Sequence, residues 1–122
     1  FVDKRNKIAK KYKKYFKNTP IKFQKIHKHC YSSYHLFPIK FDLRKAKKNY
    51  LNIFKKFRSN NLYVNLHYMP LHLSPYFKKR GFKKGDFKNA ENYAETAISI
   101  PIFYHLKDSQ ILKVVKLIKS LF

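Results

Sequence analysis

The sequence lacks most of the devices that staple small proteins together. Its 122 residues include one cysteine, Cys30, so no internal disulfide forms, and without a CxxC pair or a second thiol no cysteine-based zinc cluster is available. Such cysteine usage belongs to a reducing interior, and the expected compartment is the cytoplasm. No apolar run approaches the roughly 18 residues that span a bilayer, and residues 1–17 are charged throughout, unlike a secretory leader. Acidic residues number six against 29 Lys and Arg, a formal charge of +23. Taken alone, that excess points to nucleic acid or an anionic surface. The shortage of arginine points the other way, because only Arg5, Arg44, Arg58 and Arg80 carry the planar fork that grips phosphates and bases bidentately. Lysine is abundant together with Asn, Ile, Phe and Tyr, the residues with the most A- and T-rich codons, so compositional bias accounts for much of the charge.

With 44% hydrophobic residues the chain has enough apolar material to fold, and its length allows one domain. There is no internal repeat and no low-complexity linker. The first residues, FVDKRNKIAKKYKKYF, lack a Met and enter a helix already in progress, so the chain is expected to be a piece of a longer protein.

Ile8, Ala9, Tyr12 and Phe16 recur among lysines at mainly three- and four-residue spacing, which predicts an amphipathic helix over residues 1–17, stopped by Asn18-Thr19-Pro20. Residues 20–31 alternate weakly and read as a loop or short edge strand. Residues 33–41 read as a strand through Tyr34, Ile39 and Phe41, with Pro38 placing its N–H side at an edge or bulge. Asp42 then caps one helix with Leu43, Ala46, Tyr50, Ile53, Phe54 and Phe57 on its apolar stripe, closed by Asn60-Asn61. Residues 62–68, LYVNLHY, alternate as a strand that puts Leu62, Val64, Leu66 and Tyr68 on the core face and His67 on the other. A short helix ends at Gly81, and Asp86 caps another that aligns Phe87, Ala90, Tyr93, Ala94 and Ala97. After the apolar segment 98–102, a last helix opens at Asp108 or Ser109 with Ile111, Leu112, Val115, Ile118 and Leu121 as its stripe. The order is that of an α+β layer fold.

The stretch NLHYMPLHLSPYF, residues 65–77, places His67 and His72 five apart with Pro70 between them. That spacing cannot put both rings on one helix face, as HExxH does, and no nearby carboxylate completes a ligand set, so a metal site is not supported. No Ser or Cys sits in a nucleophile turn, which removes a triad. Basic and aromatic residues interleaved as in KKYKKYFK are able to bind phosphate and stack bases, so a small basic RNA-binding or ribosomal-type protein stands as the alternative. Such a protein would expose those aromatics on a basic face, whereas helical spacing predicts that they are buried in a core.

Several stretches together resemble the C-terminal part of the DegT/StrS-type pyridoxal-phosphate aminotransferases that act on nucleotide-linked keto-sugars. The similarity is carried by Leu66-His67-Tyr68 with Pro70, His72 and Pro75-Tyr76-Phe77, by Gly85-Asp86-Phe87 with Ala90 and Tyr93, and by Ser99-Ile100-Pro101-Ile102. Upstream, Ser33 to Ile39 is similar to a small-domain strand of the same family, and Arg5, Ile8, Ala9 and Tyr12 match its R-x-x-I-A-x-x-Y helix. The HY-x-P-x-H, PYF and GDF details are most similar to the members that make the 4-amino sugar precursor of pseudaminic acid.

The resemblance implies an α+β small domain of a fold-type I aminotransferase, a short, mostly antiparallel sheet covered by helices, forming residues 1–122 as one C-terminal domain without the large domain. It implies that pyridoxal phosphate and the catalytic lysine belong to that absent domain, so that this chain holds no catalytic or cofactor residue and is inactive alone. Substrate contacts are implied for His67, His72, Tyr76 and His35. The implied partners are a nucleotide sugar, glutamate, the missing large domain and a second subunit of a homodimer, with no nucleic acid and no membrane. Two departures stand out: Asn61-Leu62-Tyr63 replaces a Gly-x-Gly turn, and Lys107-Asp108-Ser109-Gln110 is a poorer helix start than the usual Ser or Thr cap with acidic residues.

Overall fold

A computed structural model describes residues 1–46 and 48–122. Helix α1, Val2–Tyr15, forms where expected and buries Ile8, Ala9 and Tyr12, while Phe16 just beyond it is 1% exposed. Asp3 in its first turn and Lys13 and Lys14 in its last complement the helix dipole. The Thr19 hydroxyl donates to the Phe16 carbonyl at 2.8 Å and helps end the helix before Pro20.

Three antiparallel strands follow in the spatial order β1-β2-β3: β1 is Ile21–Phe23, β2 is Phe37–Phe41 and β3 is Ala97–Ile100. Ile39 lies opposite Phe23 on one side and Ile98 on the other, and at 0% exposure it is the centre of the core. Against this face pack Tyr12 and Phe16, Ile53 and Phe57 of α3 (Tyr50–Ser59), and Ile111, Val115 and Ile118 of α6 (Asp108–Lys119). Of the aromatics of KKYKKYFK, Tyr12 and Phe16 are core, with Tyr12 and Phe37 centroids 5.4 Å apart, whereas Tyr15, expected to be buried with them, faces out at 37% exposure.

Several sequence expectations are corrected. The strand expected over residues 33–41 begins only at Phe37, because the Ser32 hydroxyl accepts from the Tyr34 amide and Tyr34 takes a positive φ of 42°, which breaks the extended run. Pro38 belongs to the central strand, but β1 stops at Phe23 opposite Ile39, so at Pro38 the chain has β3 alone as neighbour. That arrangement tolerates a residue with no N–H to give. The single helix expected from Asp42 to Asn60 is two, α2 (Leu43–Ala46) and α3, because Asn49 turns extended and its side chain accepts from the Asn52 amide at 2.8 Å to cap α3 afresh. The middle of that expected helix falls on Lys47, which lies outside the described residues.

Asn61 closes α3 in the left-handed conformation at φ 56°; among the described residues Tyr34 is the only other non-glycine with positive φ, so Tyr63 supplies none. Beyond it the strand expected over residues 62–68 shrinks to one bridge, Asn65 opposite Ser99. Leu62 and Val64 do bury, but Tyr68, expected in the core, is 76% exposed. Where a ladder would continue, contact with β3 passes to side chains instead.

After the one-turn helix Leu71–Leu73 come α4, Pro75–Lys78, and α5, Lys88–Thr96. Asp86 does not cap α5: its Oδ2 accepts from the Lys83 amide at 2.9 Å and closes a turn. The expected α5 stripe is also altered, for Phe87 is 49% exposed and Ala90 is exposed, while Glu91 is buried beside Ala94. On α6, Leu112 faces outward and Val114 inward, and Gln110 Oε1 accepts from the Lys107 amide at 2.9 Å, giving the helix a capping contact despite its unusual start.

Candidate functional site

Strand β3 and the segment after it form the platform of the site. Its backbone is tied from both flanks of the fold: the Tyr50 hydroxyl on α3 donates to the Ala97 carbonyl at 3.1 Å, and the Tyr12 hydroxyl on α1 donates to the Pro101 carbonyl at 3.0 Å. Burial pushes both phenols above their ordinary pKa, so both stay protonated and donating. Between those ties, the Ser99 amide donates to the Asn65 carbonyl at 2.9 Å, and Ser99 Oγ lies 2.8 Å from His67 Nδ1.

This arrangement opens a shallow cleft of about 180 Å³ whose lining includes His35, Tyr63, His67, Ser99 and Pro101. Two of the expected site residues, His35 and His67, are therefore brought together although 32 positions separate them. His67 points away from the core, as the alternation of its segment predicts. Sites that enclose a small organic ligand run from about 300 to 1,000 Å³. At about 180 Å³ the cleft is smaller than a pocket that encloses such a ligand.

The other two expected residues lie elsewhere. His72 is 7% exposed, and its Nε2–H donates to Glu91 Oε1 at 2.9 Å, so its donor is engaged within the protein. Tyr76 on α4 is 58% exposed and carries the Arg80 guanidinium 3.8 Å above its ring. Glu91 is a residue that the sequence reading missed. Besides His72 it accepts from the Gly85 amide at 2.8 and 3.0 Å and from the Phe87 amide at 3.3 Å. Desolvation pushes its carboxyl upward, but the Gly85, His72 and Phe87 hydrogen bonds together hold it below the usual carboxylate range. The available signal was a carboxylate three residues before Ala94 on an apolar stripe. Ser99, equally missed, stands as the one polar residue of the apolar ISIPI run.

Apolar side chains stand exposed along the segment that leaves the cleft: Tyr63 at 67%, Tyr68 at 76%, Met69 at 58% and Leu71 at 70%. Among the described residues no lysine is buried, and no group of three His, Cys, Asp or Glu side chains converges as a metal site. A lysine that carries a Schiff base has its amine desolvated to lower its pKa. Among the described residues, then, no lysine amine is desolvated within this chain alone. No helix among the described residues is long and apolar enough to cross a membrane.

Comparison with known proteins gives a consistent result. The profile of the DegT/DnrJ/EryC1/StrS aminotransferase family matches residues 1–119. Among solved structures, the chain is similar to Spr1654 of Streptococcus pneumoniae, described as a sugar aminotransferase, in its PMP form: 22% identity, TM-score 0.87, over 98% of this chain and 30% of that one. It is similar to PseC of Helicobacter pylori, an aminotransferase involved in the biosynthesis of pseudoaminic acid, at 23% identity and TM-score 0.82, over 99% of this chain and 32% of that one. DesV of S. venezuelae, solved with a ketimine intermediate, gives 23% identity and TM-score 0.84, over 98% and 31%. At such identities these structures establish the fold. No curated protein sequence matches the chain significantly. The chain spans about 30% of the length of the first solved relatives.

Proposed function

The chain belongs to the DegT/DnrJ/EryC1/StrS aminotransferase family, and from that premise we propose that it is the C-terminal small domain of a pyridoxal-phosphate-dependent sugar aminotransferase. The observation that carries the reading is a disproportion: the family profile takes in residues 1–119, and the fold match covers 98% of the chain, yet only 30% of the relative. A chain matched over nearly its whole length to under a third of its relatives, with no buried lysine among the described residues, is read as a part whose chemistry resides in another part.

In the proposed enzyme an amino group passes from glutamate to a nucleotide-linked 4-keto-6-deoxy sugar, for surface or flagellar glycan synthesis, and a large domain outside this chain holds the pyridoxal phosphate, which supplies the electron sink. The contribution of this chain is the wall built on β3. His35 and His67 face the cleft with polar ring atoms suited to sugar hydroxyl or diphosphate oxygens, Tyr76 offers an exposed aromatic face, and His72 acts from within by holding its segment. The 180 Å³ cleft, the exposed apolar run from Tyr63 to Leu71, and the buried Arg5 Nε with no hydrogen-bond partner among the described residues all support an adjoining protein surface. In the complete enzyme that surface comes from the large domain and from a second subunit of a homodimer. Amination of the pseudaminic acid precursor is the finer substrate reading, supported by the HY-x-P-x-H and GDF details and by the fold shared with PseC. The RNA-binding alternative loses its main ground because Tyr12 and Phe16 are core.

The test has two arms. Titrating the purified chain with pyridoxal phosphate is expected to give no stoichiometric Schiff-base band, and such a band would overturn the division of labour. Sequencing the DNA upstream of the Phe1 codon is expected to reveal a large-domain reading frame with a cofactor lysine; unrelated sequence there would overturn the assignment.

A further inference from the structure

We infer that Glu91 is a positioning residue that holds both ends of the excursion formed by residues 72–87, and so sets where Tyr76 and Phe82 stand. One carboxylate receives the near end through His72 Nε2 at 2.9 Å and the far end through the Gly85 amide at 2.8 and 3.0 Å and the Phe87 amide at 3.3 Å. Gly85 reaches it by taking φ 102°, a conformation in which a side chain is strained, so the far end is shaped for this contact.

Little else ties the excursion down by polar contacts. Among the described residues, the hydrogen bonds of Ser74 to Lys83 stay within residues 70–87, and Lys84 Nζ to Glu95 Oε1 at 3.0 Å is an exposed pair that contributes little. Ring contacts of Phe77 with Phe82, and of Phe82 with Phe87, also stay inside it. The His72 ring lies 4.8 Å from Phe87, so the two ends meet side by side over the carboxylate. With both ends gathered at one group, the interior of the excursion moves as a body whose placement depends on Glu91. That this body borders a substrate site rests on the function proposed above; the tethering is measured on this chain alone, so failure of one is distinguishable from failure of the other.

The experiment is amide hydrogen exchange by mass spectrometry on the 122-residue chain and on Glu91→Gln, Glu91→Leu and His72→Phe. Glutamine keeps one acceptor oxygen and loses the charge, so exchange across residues 72–87 is expected to quicken about fivefold in Glu91→Gln and more in Glu91→Leu, with α1 and α6 unchanged. His72→Phe keeps a ring against Phe87 and is expected to free residues 72–74 while leaving the Gly85 and Phe87 amides protected. Unchanged exchange over 72–87 in both Glu91 variants overturns the inference. So does a uniform rise that includes α6, which is the signature of Glu91 as a general stabiliser. If the Glu91 variants do not fold, His72→Phe decides: selective release of its own end supports the tether, and no release overturns it.

Discussion

Replacing Tyr12 with phenylalanine removes one oxygen from the fold and should cost more than any other single-atom deletion at a tyrosine. The ring is 0% exposed and stacks on Phe37, so Phe fills the same space and leaves no cavity. What is lost is the hydroxyl that donates to the Pro101 carbonyl at 3.0 Å. A typical internal hydrogen bond nets about 1 kcal/mol, and an acceptor left short of a partner adds desolvation, so the loss is estimated at about 1.5 kcal/mol. For a domain of this size that lowers Tm by roughly 6 °C. Tyr50→Phe is the internal control, because it deletes the matching bond to the Ala97 carbonyl from a half-buried ring, where water replaces the hydroxyl, and about 0.5 kcal/mol is expected. Urea unfolding followed by far-UV circular dichroism measures both, with the midpoint shifting and the slope m unchanged. Equal midpoints for the two variants, or a Tyr12→Phe midpoint at that of the parent, would refute the claim that burial makes the Tyr12 bond the stronger tie.

Three further outcomes are expected. Ile39→Ala, at the fully buried centre of the sheet, should lose about 3 kcal/mol in the same urea assay, since both neighbouring strands pack on it and cannot close the hole. At Asn61, with φ 56°, Asn61→Gly should be neutral or slightly stabilising and Asn61→Val destabilising by about 1 kcal/mol or more; reversed signs would mean that the cap does not require the left-handed backbone. The Glu91 carboxyl is held low in the folded protein, facing His72 and Lys84, so its contribution is complete above the unfolded value of about 4.3 and disappears as pH falls through the lower folded value. Thermal melts of the parent and Glu91→Gln should therefore differ at pH 7 and converge at acid pH, and a constant gap would argue against it.

How far the fold could be read in advance depended on whether a signal was local. Periodic apolar positions on α1 and α6 are repeated over several turns, so their helices and most of their buried faces were legible from spacing alone. Asn61 was equally legible, because a left-handed cap restricts residue type at one position. The break at Asn49 was not, since the helical stripe from Leu43 to Phe57 runs straight through it and the capping bond is a competition that spacing does not register. Residues 62–68 misled for a related reason. Alternation reports which faces are wet, whereas a strand also needs a neighbour of matching length, and β3 offers Ala97–Ile100 with β2 already on its other side. At the candidate site, alternation put His67 only on the face away from the core, and substrate-side roles for His67 and His35 were implied by the family resemblance alone. The burial of His72 depended on Glu91, 19 residues away, which no local pattern connects to it.

The two halves of the candidate site differ in how they are held, and that difference bears on what each is able to do. The wall at β3 is bonded from α1, from α3 and from Asn65, three separate attachments of which the Tyr12 bond comes from the fully buried core. Moving the strand that carries Ser99 therefore requires disturbing α1 or α3 as well. The excursion over residues 72–87 is gathered at a single carboxylate, and most of its side chains are exposed. On the tether inferred above, its release costs that local cluster and leaves the core intact. A strand bonded at three points beside a segment gathered at one carboxylate gives the two parts different local stabilities. Were the excursion bonded to α1 or α6 as β3 is, it could not move without unfolding the core; were β3 moored by one contact, the wall would have no register to keep.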